Sequence, residues 1–310
     1  MSELFERYKG NPILSPNPKN LWESYMVFNS AAIYLDGRIH LLYRARGKKD
    51  GISRLGYSSS KNGFQIIERL DKPVFEPEKE NVSECLGCED PRLTRIQDSI
   101  FMTYTAYGKI PFMKPSVNTV QLAITSISVK DFIQQNWSWG KRNYPYPRVD
   151  NKDAFLFPEK INRQWVMYHR IPPHIWVAYS DDLINWKNTN VVMSPNEDWE
   201  YYKIGGGAPP IKTDEGWLLI YHGVDREWNY RLGAAVVDLE RPYKILKRGK
   251  EPILEPKEEY EVKGDVPNVV FTCGAILKED RIFLYYGGAD TVICVATAEL
   301  NELLKSLEKT

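Results

Sequence analysis

A hairpin pattern that recurs five times is the feature that most constrains how this chain can fold. Each copy consists of an apolar strand, a short polar turn and a second apolar strand that ends in tyrosine. The five tyrosines are Tyr43, Tyr104, Tyr168, Tyr221 and Tyr286, which lie 61, 64, 53 and 65 residues apart. Repetition at such a period indicates structural units of the kind that build propellers and solenoids.

Turn-forming residues separate the two strands of each copy, and a further strand follows. Asp36-Gly37 in the first copy and Asp214-Glu215-Gly216 in the fourth are hairpin signals. Three or four strands per copy, five copies and little helix predict an all-β fold, and within that class a five-bladed β-propeller. A β-sandwich fits less well, because its turn signals come about every 8–12 residues without a longer period.

Proline-containing segments repeat as well, beginning at Asn11, Lys72 and Glu251. We expect them to join neighbouring blades. The best helix prediction is the C-terminal stretch 297–309, whose four leucines form one apolar stripe. Because no linker-like or low-complexity segment interrupts the chain, we predict a single catalytic domain over residues 1–310.

The charge balance excludes several kinds of partner. Lys and Arg total 41, as do Asp and Glu, so the net charge is zero. Without a basic stripe, we expect neither nucleic acid nor an anionic membrane as a partner. The first ten residues are charged and lack the apolar core of a signal peptide, and the longest mainly apolar run, 269–277, is too short for a membrane span. A cytoplasmic protein is therefore expected.

The four cysteines do not form a recognisable metal motif. Cys85 and Cys88 form a single C-x-x-C pair, whereas Cys273 and Cys294 are 21 residues apart. A structural zinc site would need a second pair at similar spacing. We expect four reduced thiols, no metal and no cofactor.

Two acids and an arginine stand directly before one predicted inner strand, at Glu89-Asp90-Pro91-Arg92. In a propeller the innermost strands line a central channel, so polar residues at their ends converge. A carboxyl group that is kept protonated there could donate a proton to a leaving oxygen. The alternative is an exposed turn that holds an Asp–Arg pair.

Four basic side chains, Lys152, Arg170, Lys203 and His222, stand near corresponding strand positions in two consecutive copies of the repeat. Positive groups that face one channel are costly to hold together unless an anion lies between them. A phosphate dianion would meet that need, and arginine can bind two of its oxygens at once. The alternative is that each cation pairs with a local acid such as Asp153 or Asp225.

With these residues in view, the chain resembles glycoside hydrolase family 130, the β-mannoside phosphorylases, from about residue 11 to residue 298. No single string is decisive, but their order and spacing are specific. The strings that carry the resemblance are Phe28-Asn-Ser-Ala, Glu89-Asp-Pro-Arg, Asp153-Ala-Phe-Leu-Phe-Pro, Lys203-Ile-Gly-Gly-Gly, Trp217-Leu-Leu-Ile-Tyr-His-Gly, Val266-Pro-Asn-Val-Val-Phe and Tyr286-Gly-Gly-Ala-Asp-Thr. The family is a five-bladed propeller, which agrees with the repeat count.

The resemblance implies roles for individual residues. Asp90 would be the general acid, with its proton passing through a hydroxyl group of the mannose. The phosphate-side residues would be Lys152, Arg170, Lys203 and His222, the first of which is usually arginine in the best-known members. Lysine keeps the charge there but loses the two-pronged contact of arginine. The substrate-binding residues would be Asn29, Ser30, Arg44, Glu89, Arg92, Asp153, Asn268 and Asp290.

One acid beside a group of cations suits phosphorolysis. An inverting hydrolase needs an acid and a base with a water between them, whereas phosphate is already a nucleophile. The resemblance therefore implies inverting phosphorolysis of a β-mannoside, and its reversal, with inorganic phosphate as co-substrate and α-mannose 1-phosphate as product. A hydrolytic β-mannosidase on the same fold is an alternative, and a non-catalytic sugar-binding propeller is a third.

The linkage and the acceptor sugar are less constrained. The chain looks most similar to the compact phosphorylases of β-1,2-mannobiose and β-1,2-oligomannan, with β-1,4-mannooligosaccharides second. We expect acceptor-side residues in the loops 107–116 and 226–230 and at His174, since loops carry specificity. Because members of the family often assemble, the oligomeric state is left open between monomer and homo-oligomer.

Overall fold

The computed structural model describes residues 4–78, 80–110 and 117–309, and most of these lie in β-strands. The predicted all-β class is therefore confirmed. The strands form five antiparallel units in chain order, called units 1 to 5 below. A short strand, β1 (Glu6–Arg7), precedes unit 1 and belongs to the sheet of unit 5.

Units 1 and 2 share a sheet. Unit 1 consists of β2 (Met26–Leu35), β3 (Arg38–Arg46), β4 (Ser53–Ser60) and β5 (Ile66–Arg69). Unit 2 consists of β6 (Gly87–Ile96), β7 (Ser99–Ile110) and β8 (Val117–Ser128), followed by helix α1 (Val129–Ile133). One parallel pair, Ser53 with Gly87, joins β4 to β6.

Units 3, 4 and 5 are separate sheets. Unit 3 consists of β9 (Lys152–Leu156), β10 (Trp165–Ile171), β11 (His174–Ser180) and β12 (Lys187–Met193). Unit 4 consists of β13 (Lys203–Gly206), β14 (Ile211–Thr213), β15 (Gly216–Val224), β16 (Tyr230–Val237) and β17 (Ile245–Arg248). Unit 5 consists of β18 (Val270–Lys278), β19 (Arg281–Gly288), β20 (Val292–Glu299) and β1.

The five predicted hairpins are present as β2–β3, β6–β7, β9–β10, β14–β15 and β18–β19. The turn residues Asp36 and Gly37 both have positive φ, as a tight hairpin turn requires. In unit 4 the strand opposite β15 is split into β13 and β14, with Pro209 and Pro210 between them. Proline has no N–H to donate to a sheet, so the ladder is interrupted at that point.

The repeated proline segments connect successive units, as predicted. Leu14 pairs with Ile293 of unit 5 before the chain enters unit 1. Phe75 pairs with Leu55 of unit 1 before the chain enters unit 2, and Leu254 pairs with Leu232 of unit 4 before it enters unit 5. Each segment therefore lies against the unit just completed and leads into the next.

The recurring tyrosines are anchored by a shared set of buried partners. In four units the tyrosine hydroxyl donates to a buried glutamate, which also pairs with an arginine. We call each set a Tyr–Glu–Arg triad. The triads are Tyr43–Glu23–Arg69, Tyr104–Glu84–Arg142, Tyr221–Glu200–Arg248 and Tyr286–Glu261–Arg7. In unit 3, Tyr168 donates to the backbone carbonyl of Pro242 instead.

Helices are few and short. The predicted C-terminal helix is shorter than expected: α3 spans Leu300–Ser306, because β20 continues to Glu299, and a last strand, β21 (Glu308–Lys309), pairs with β17. Helix α2 (Glu259–Val262) and two 3₁₀ turns at Leu21–Glu23 and Asp198–Glu200 were not predicted. Each of these three segments contains the glutamate of a triad, namely Glu261, Glu23 and Glu200. Among the described residues, no helix combines the length and apolar character that crossing a bilayer requires.

Candidate active site

Three consecutive units present a polar residue from the same place in their first strand. Asn29, Asp90 and Asp153 have φ values of 49°, 50° and 56°. Each lies where the register with the neighbouring strand shifts, as in a β-bulge. A bulge re-aims a side chain, and Asn and Asp tolerate this left-handed conformation better than most residues. The bulges bring side chains from units 1, 2 and 3 together.

Asp90 lies at the centre of this cluster and is 1% exposed. Its Oδ1 accepts from Asn29 Nδ2 at 2.9 Å and from Arg44 at 3.2 Å, and Lys152 Nζ lies 3.6 Å from Oδ2. Burial alone would raise the pKa of Asp90, but the charges of Arg44, Lys152 and Arg92 hold it below its ordinary value. Asp90 is therefore ionised in the free protein at neutral pH.

Glu89 accepts from a different nitrogen of the Arg44 guanidinium group than Asp90 does. Its Oε1 accepts from Arg44 at 2.5 Å and from Ser53 Oγ at 3.0 Å. Arg44 thus bridges the two neighbouring carboxylates and holds their relative position. Ser53 was not predicted. It stands at the junction between units 1 and 2, and nothing in its sequence context marks it.

Arg92 is fully buried and cross-links the cluster. It donates to the backbone carbonyls of Asp90, Gly206 and Gly207 at 2.9, 2.9 and 2.8 Å, and to Asp153 Oδ1 at 3.3 Å. These contacts tie unit 2 to units 3 and 4. The predicted substrate contact of Arg92 stays a prediction, because the observed bonds go to the protein itself.

Asp153 is the acid around which the predicted phosphate-side residues gather. Arg170 lies 2.8 Å from its Oδ2, and His222 Nε2 lies 3.7 Å from the same oxygen. Burial opposes ionisation of Asp153, yet the charges of Arg170 and Lys152 lower its pKa well below the usual range. The alternative of pairing with a local acid therefore holds for Arg170, while Asp225 pairs with Arg231 instead.

Lys152 and Lys203 begin the first strands of units 3 and 4. Lys152 lies opposite Arg170 in the sheet, and Asp153 and Asp90 outweigh its burial and raise its pKa. Burial and the charges of Arg170 and Lys152 lower the pKa of Lys203 to about 8. Positive charge thus accumulates beside the acids, as predicted.

His222 was predicted as a cation, and the structure corrects this. Burial lowers the pKa of His222 well below its ordinary value, so the ring is neutral at pH 7. Neither ring nitrogen has a hydrogen-bond partner among the described residues. His222 therefore offers an uncharged hydrogen-bonding group. It also follows Tyr221 by one residue, whereas Arg170 follows Tyr168 by two, so the predicted correspondence is offset by one position.

Three further residues were predicted to bind the substrate. Ser30 is fully buried next to Asn29, and Asn268 is exposed, with its carbonyl accepting from the Tyr230 N–H at 3.0 Å. Burial raises the pKa of Asp290 to about 7, with Arg44 opposing this and Asp90 adding to it. Of Asp90 and Asp290, the carboxyl group that retains a proton more readily in the free protein is thus Asp290, although the resemblance assigns the role of proton donor to Asp90.

The predicted acceptor loops are only partly described. Residues 107–110 end strand β7, while 111–116 lie outside the described residues. His174 begins strand β11, and loop 226–230 leads into β16.

The cysteines give no sign of a metal site. All four are free thiols, and burial raises the pKa of Cys88. In the described parts of the chain, no group of three or more His, Cys, Asp or Glu side chains is arranged to hold a metal ion.

A protein-family model described as beta-1,4-mannooligosaccharide phosphorylase, of glycoside hydrolase family 130, matches residues 5–309. The chain belongs to glycoside hydrolase family 130. The resemblance noted from the sequence is thereby confirmed over almost the whole chain.

Individual relatives of this family 130 protein agree. It is 46% identical over 305 residues to a 1,2-beta-oligomannan phosphorylase of Thermoanaerobacter sp. (strain X514), covering 96% of this chain and 98% of the relative. It is 43% identical to a beta-1,2-mannobiose phosphorylase of the same strain, covering 94% and 96%. Its fold is similar to that of Listeria innocua beta-1,2-mannobiose phosphorylase in complex with beta-1,2-mannobiose, with a TM-score of 0.82, 28% identity and 99% of each chain covered.

Proposed function

We propose that this family 130 protein cleaves and remakes β-mannosidic bonds by inverting phosphorolysis. A β-mannoside and inorganic phosphate would give α-mannose 1-phosphate and an acceptor shortened by one mannose. The observation that carries the proposal is the position of Lys152, whose ammonium lies 3.6 Å from Asp90 and whose strand position faces Arg170. Cations for a nucleophilic anion thus adjoin the proposed acid.

The cations suit an attacking phosphate. Phosphate needs groups that place it beneath the anomeric carbon and offset its charge. In the proposal Lys152, Arg170 and Lys203 supply the charge, and neutral His222 supplies a hydrogen bond from a ring nitrogen that has no protein partner among the described residues. Because Arg170 already contacts Asp153, the phosphate would share this arginine with the acid.

Asp90 must gain a proton before it can act as the acid. In the free protein Arg44 and Lys152 hold the pKa of Asp90 low. A phosphate dianion beside Lys152 offsets that cation, and a bound sugar excludes water, so both changes raise the pKa of Asp90. Asp90 then takes up a proton as the complex with both substrates forms, and passes it through a mannose hydroxyl group to the leaving oxygen.

Asn29, Arg44 and Asp290 are the proposed contacts of the mannose, with Ser30, Glu89, Arg92, Asp153 and Asn268 completing the substrate-binding set. Asn29 and Arg44 already contact Asp90, so they can align the sugar hydroxyl with the acid. Asp290, which retains a proton near neutral pH, can both donate to and accept from a hydroxyl group.

The proposed linkage is β-1,2. The two Thermoanaerobacter relatives at 46% and 43% identity are both named for β-1,2-mannosides. The β-1,4-mannooligosaccharides, named in the family description, are the second candidate.

We also propose that the five units are the blades of one five-bladed propeller domain that works in the cytoplasm. The support for the propeller arrangement is the order of contacts between units. The first strands touch in succession, β2 with β6, β6 with β9 and β9 with β13, while β15 and β16 contact β18, and β18 contacts β2.

The test is incubation of the purified protein with β-1,2-mannobiose, β-1,2-mannotriose and β-1,4-mannobiose, each with and without inorganic phosphate. We expect α-mannose 1-phosphate only when phosphate is present, and faster release from the β-1,2-linked sugars, followed by NMR of the anomeric proton. Release of free mannose at an equal rate without phosphate would instead identify a hydrolase. Absence of any turnover, with sugar binding intact, would favour the non-catalytic alternative.

A further inference from the structure

The ammonium group of Lys203 is enclosed by aromatic rings. Its Nζ lies 5.1 Å from the ring centroid of Trp228, 5.6 Å from that of Tyr230 and 5.7 Å from that of Tyr202. The rings of Tyr202 and Trp228 are themselves 4.4 Å apart. Distances below about 6 Å are those at which a cation is attracted to the face of an aromatic ring. We call these three residues the Lys203 cage.

The charges around Lys203 oppose its own positive charge, so attraction from the aromatic rings would help to keep the ammonium group in place. Arg170 and Lys152 repel the ammonium group, and burial disfavours its charged form. Asp153 and Asp150 are the acids that favour the charge, but the net effect still lowers the pKa to about 8. Without further attraction, a flexible lysine would turn away from the other cations into water.

The loop that carries Trp228 is built to hold it in place. Asp225 accepts from the backbone N–H groups of Glu227 and Asn229, both at 2.9 Å, and from Arg231 at 2.6 Å. Trp228 itself has a φ of 66°, an uncommon conformation for a bulky residue, and its side chain is 49% exposed. Strained residues persist where the surrounding structure fixes them, often at functional sites. Neither the strain nor the exposure is explained by core packing.

The Lys203 cage is continuous with the acid cluster. The ring of Tyr230 stacks on His222 at a centroid distance of 5.9 Å, and His222 lies 3.7 Å from Asp153. The cage therefore borders the cation side of the cluster.

We propose that Trp228 and Tyr202, together with Tyr230, are positioning residues that hold the Lys203 ammonium toward the phosphate. This inference rests on the proposed phosphorylase function and adds to it residues that set phosphate affinity. Loop 226–230 was expected to bind the acceptor sugar, whereas the geometry assigns Trp228 to the phosphate side.

The experiment compares Trp228→Ala and the conservative Trp228→Phe with the unmodified enzyme. We expect Trp228→Ala to raise the KM for phosphate roughly five- to tenfold while the KM for the mannoside changes less than twofold. We expect Trp228→Phe to recover most of the loss, since phenylalanine keeps a ring face. The matched control is Tyr201→Ala, which removes a neighbouring aromatic ring that is 52% exposed and packs against Arg226 at 3.8 Å.

A double-mutant cycle separates positioning from general loosening of the loop. If Trp228 acts through Lys203, Trp228→Ala will have little further effect on phosphate KM in a Lys203→Met background. A rise in mannoside KM instead, or an equal effect in both backgrounds, would overturn the proposal and make Trp228 an acceptor-side residue or a purely structural one.

The cage can also be tested independently of turnover. The pKa of Lys203 is measured by NMR titration of its ε-carbon signal, assigned with Lys203→Arg. We expect Trp228→Ala to lower this pKa, because the loss of the ring removes attraction for the charged form. If Trp228→Ala changes neither the pKa of Lys203 nor the KM for phosphate, the proposed role of the cage is refuted. If the activity of the unmodified enzyme does not depend on phosphate, the phosphorylase function itself is refuted.

Discussion

At the scale of single residues, Asp90 is held ionised by the cations around it, so its replacement separates proton transfer from binding. We expect Asp90→Asn to lower kcat by about 10²–10⁴, the usual contribution of a general acid. Phosphate should still raise the melting temperature of the variant, because Lys203 and Arg170 are intact. Turnover within tenfold of wild type in steady-state assays would show that the proton comes from another group.

Asp290 gives a prediction about stability and pH. Its folded-state pKa of about 7 lies above the ordinary value for aspartate, so the folded protein retains the proton over a pH range in which the unfolded chain loses it. The contribution of Asp290 to stability is therefore complete below about pH 4 and is lost as pH rises toward 7. We expect Asp290→Asn to reduce the fall in melting temperature between pH 5 and pH 8, measured by calorimetry. Parallel curves for the two proteins would contradict the raised pKa.

The sequence was sufficient to predict which charged residues form the cluster. It was not sufficient to predict which of the titratable side chains carry a proton. Asp90, Lys152 and Arg170 were recognisable because charged residues interrupt apolar repeats. That His222 is neutral, and that Asp290 rather than Asp90 retains a proton, depends on burial and on the distances to neighbouring charges. Those quantities follow from bulges and chain packing, which no residue pattern in the sequence displays.

At the scale of structural elements, the Tyr–Glu–Arg triads are the buried side-chain interaction that four of the five units share. We expect Glu200→Gln to cost about 3–5 kcal/mol of unfolding free energy, since it leaves the partly buried Arg248 without its acid. Tyr221→Phe removes only one hydrogen bond and should cost about 1 kcal/mol. Urea unfolding measures both, and a Glu200→Gln effect no larger than that of Tyr221→Phe would mean that the ion pair contributes little.

The hairpins of the repeat were predictable because apolar alternation and turn residues are local signals. The triads were not predicted, although the glutamate precedes its tyrosine by 20, 20, 21 and 25 residues, a nearly constant separation. The signal was obscured because Glu23, Glu200 and Glu261 lie in short 3₁₀ or α-helical segments and Glu84 lies in a turn, and such segments have little sequence signature. The C-terminal helix is shorter than predicted because β20 and β21, on either side of it, pair with other strands.

At the scale of the whole molecule, phosphate should stabilise the fold as well as enter the reaction. The protein has no net charge, yet it concentrates cations beside Asp153 and Asp90. A ligand at 100 times its dissociation constant adds about 2.7 kcal/mol to stability. We expect phosphate to raise the melting temperature, chloride at equal ionic strength to do so much less, and Lys203→Met to reduce the phosphate effect. Equal shifts with both salts would point to general screening.

The pairing of β1 with β20 has a consequence for the order in which the chain folds during synthesis. The sheet partner of Glu6 is Thr297, which is synthesised 291 residues later. At a translation rate of roughly 5–20 residues per second, β1 is synthesised on the order of 15–60 seconds before its partner strand β20. Units 1 to 4 can form their hairpins during translation, while β1 can join its sheet only after Thr297 has been synthesised.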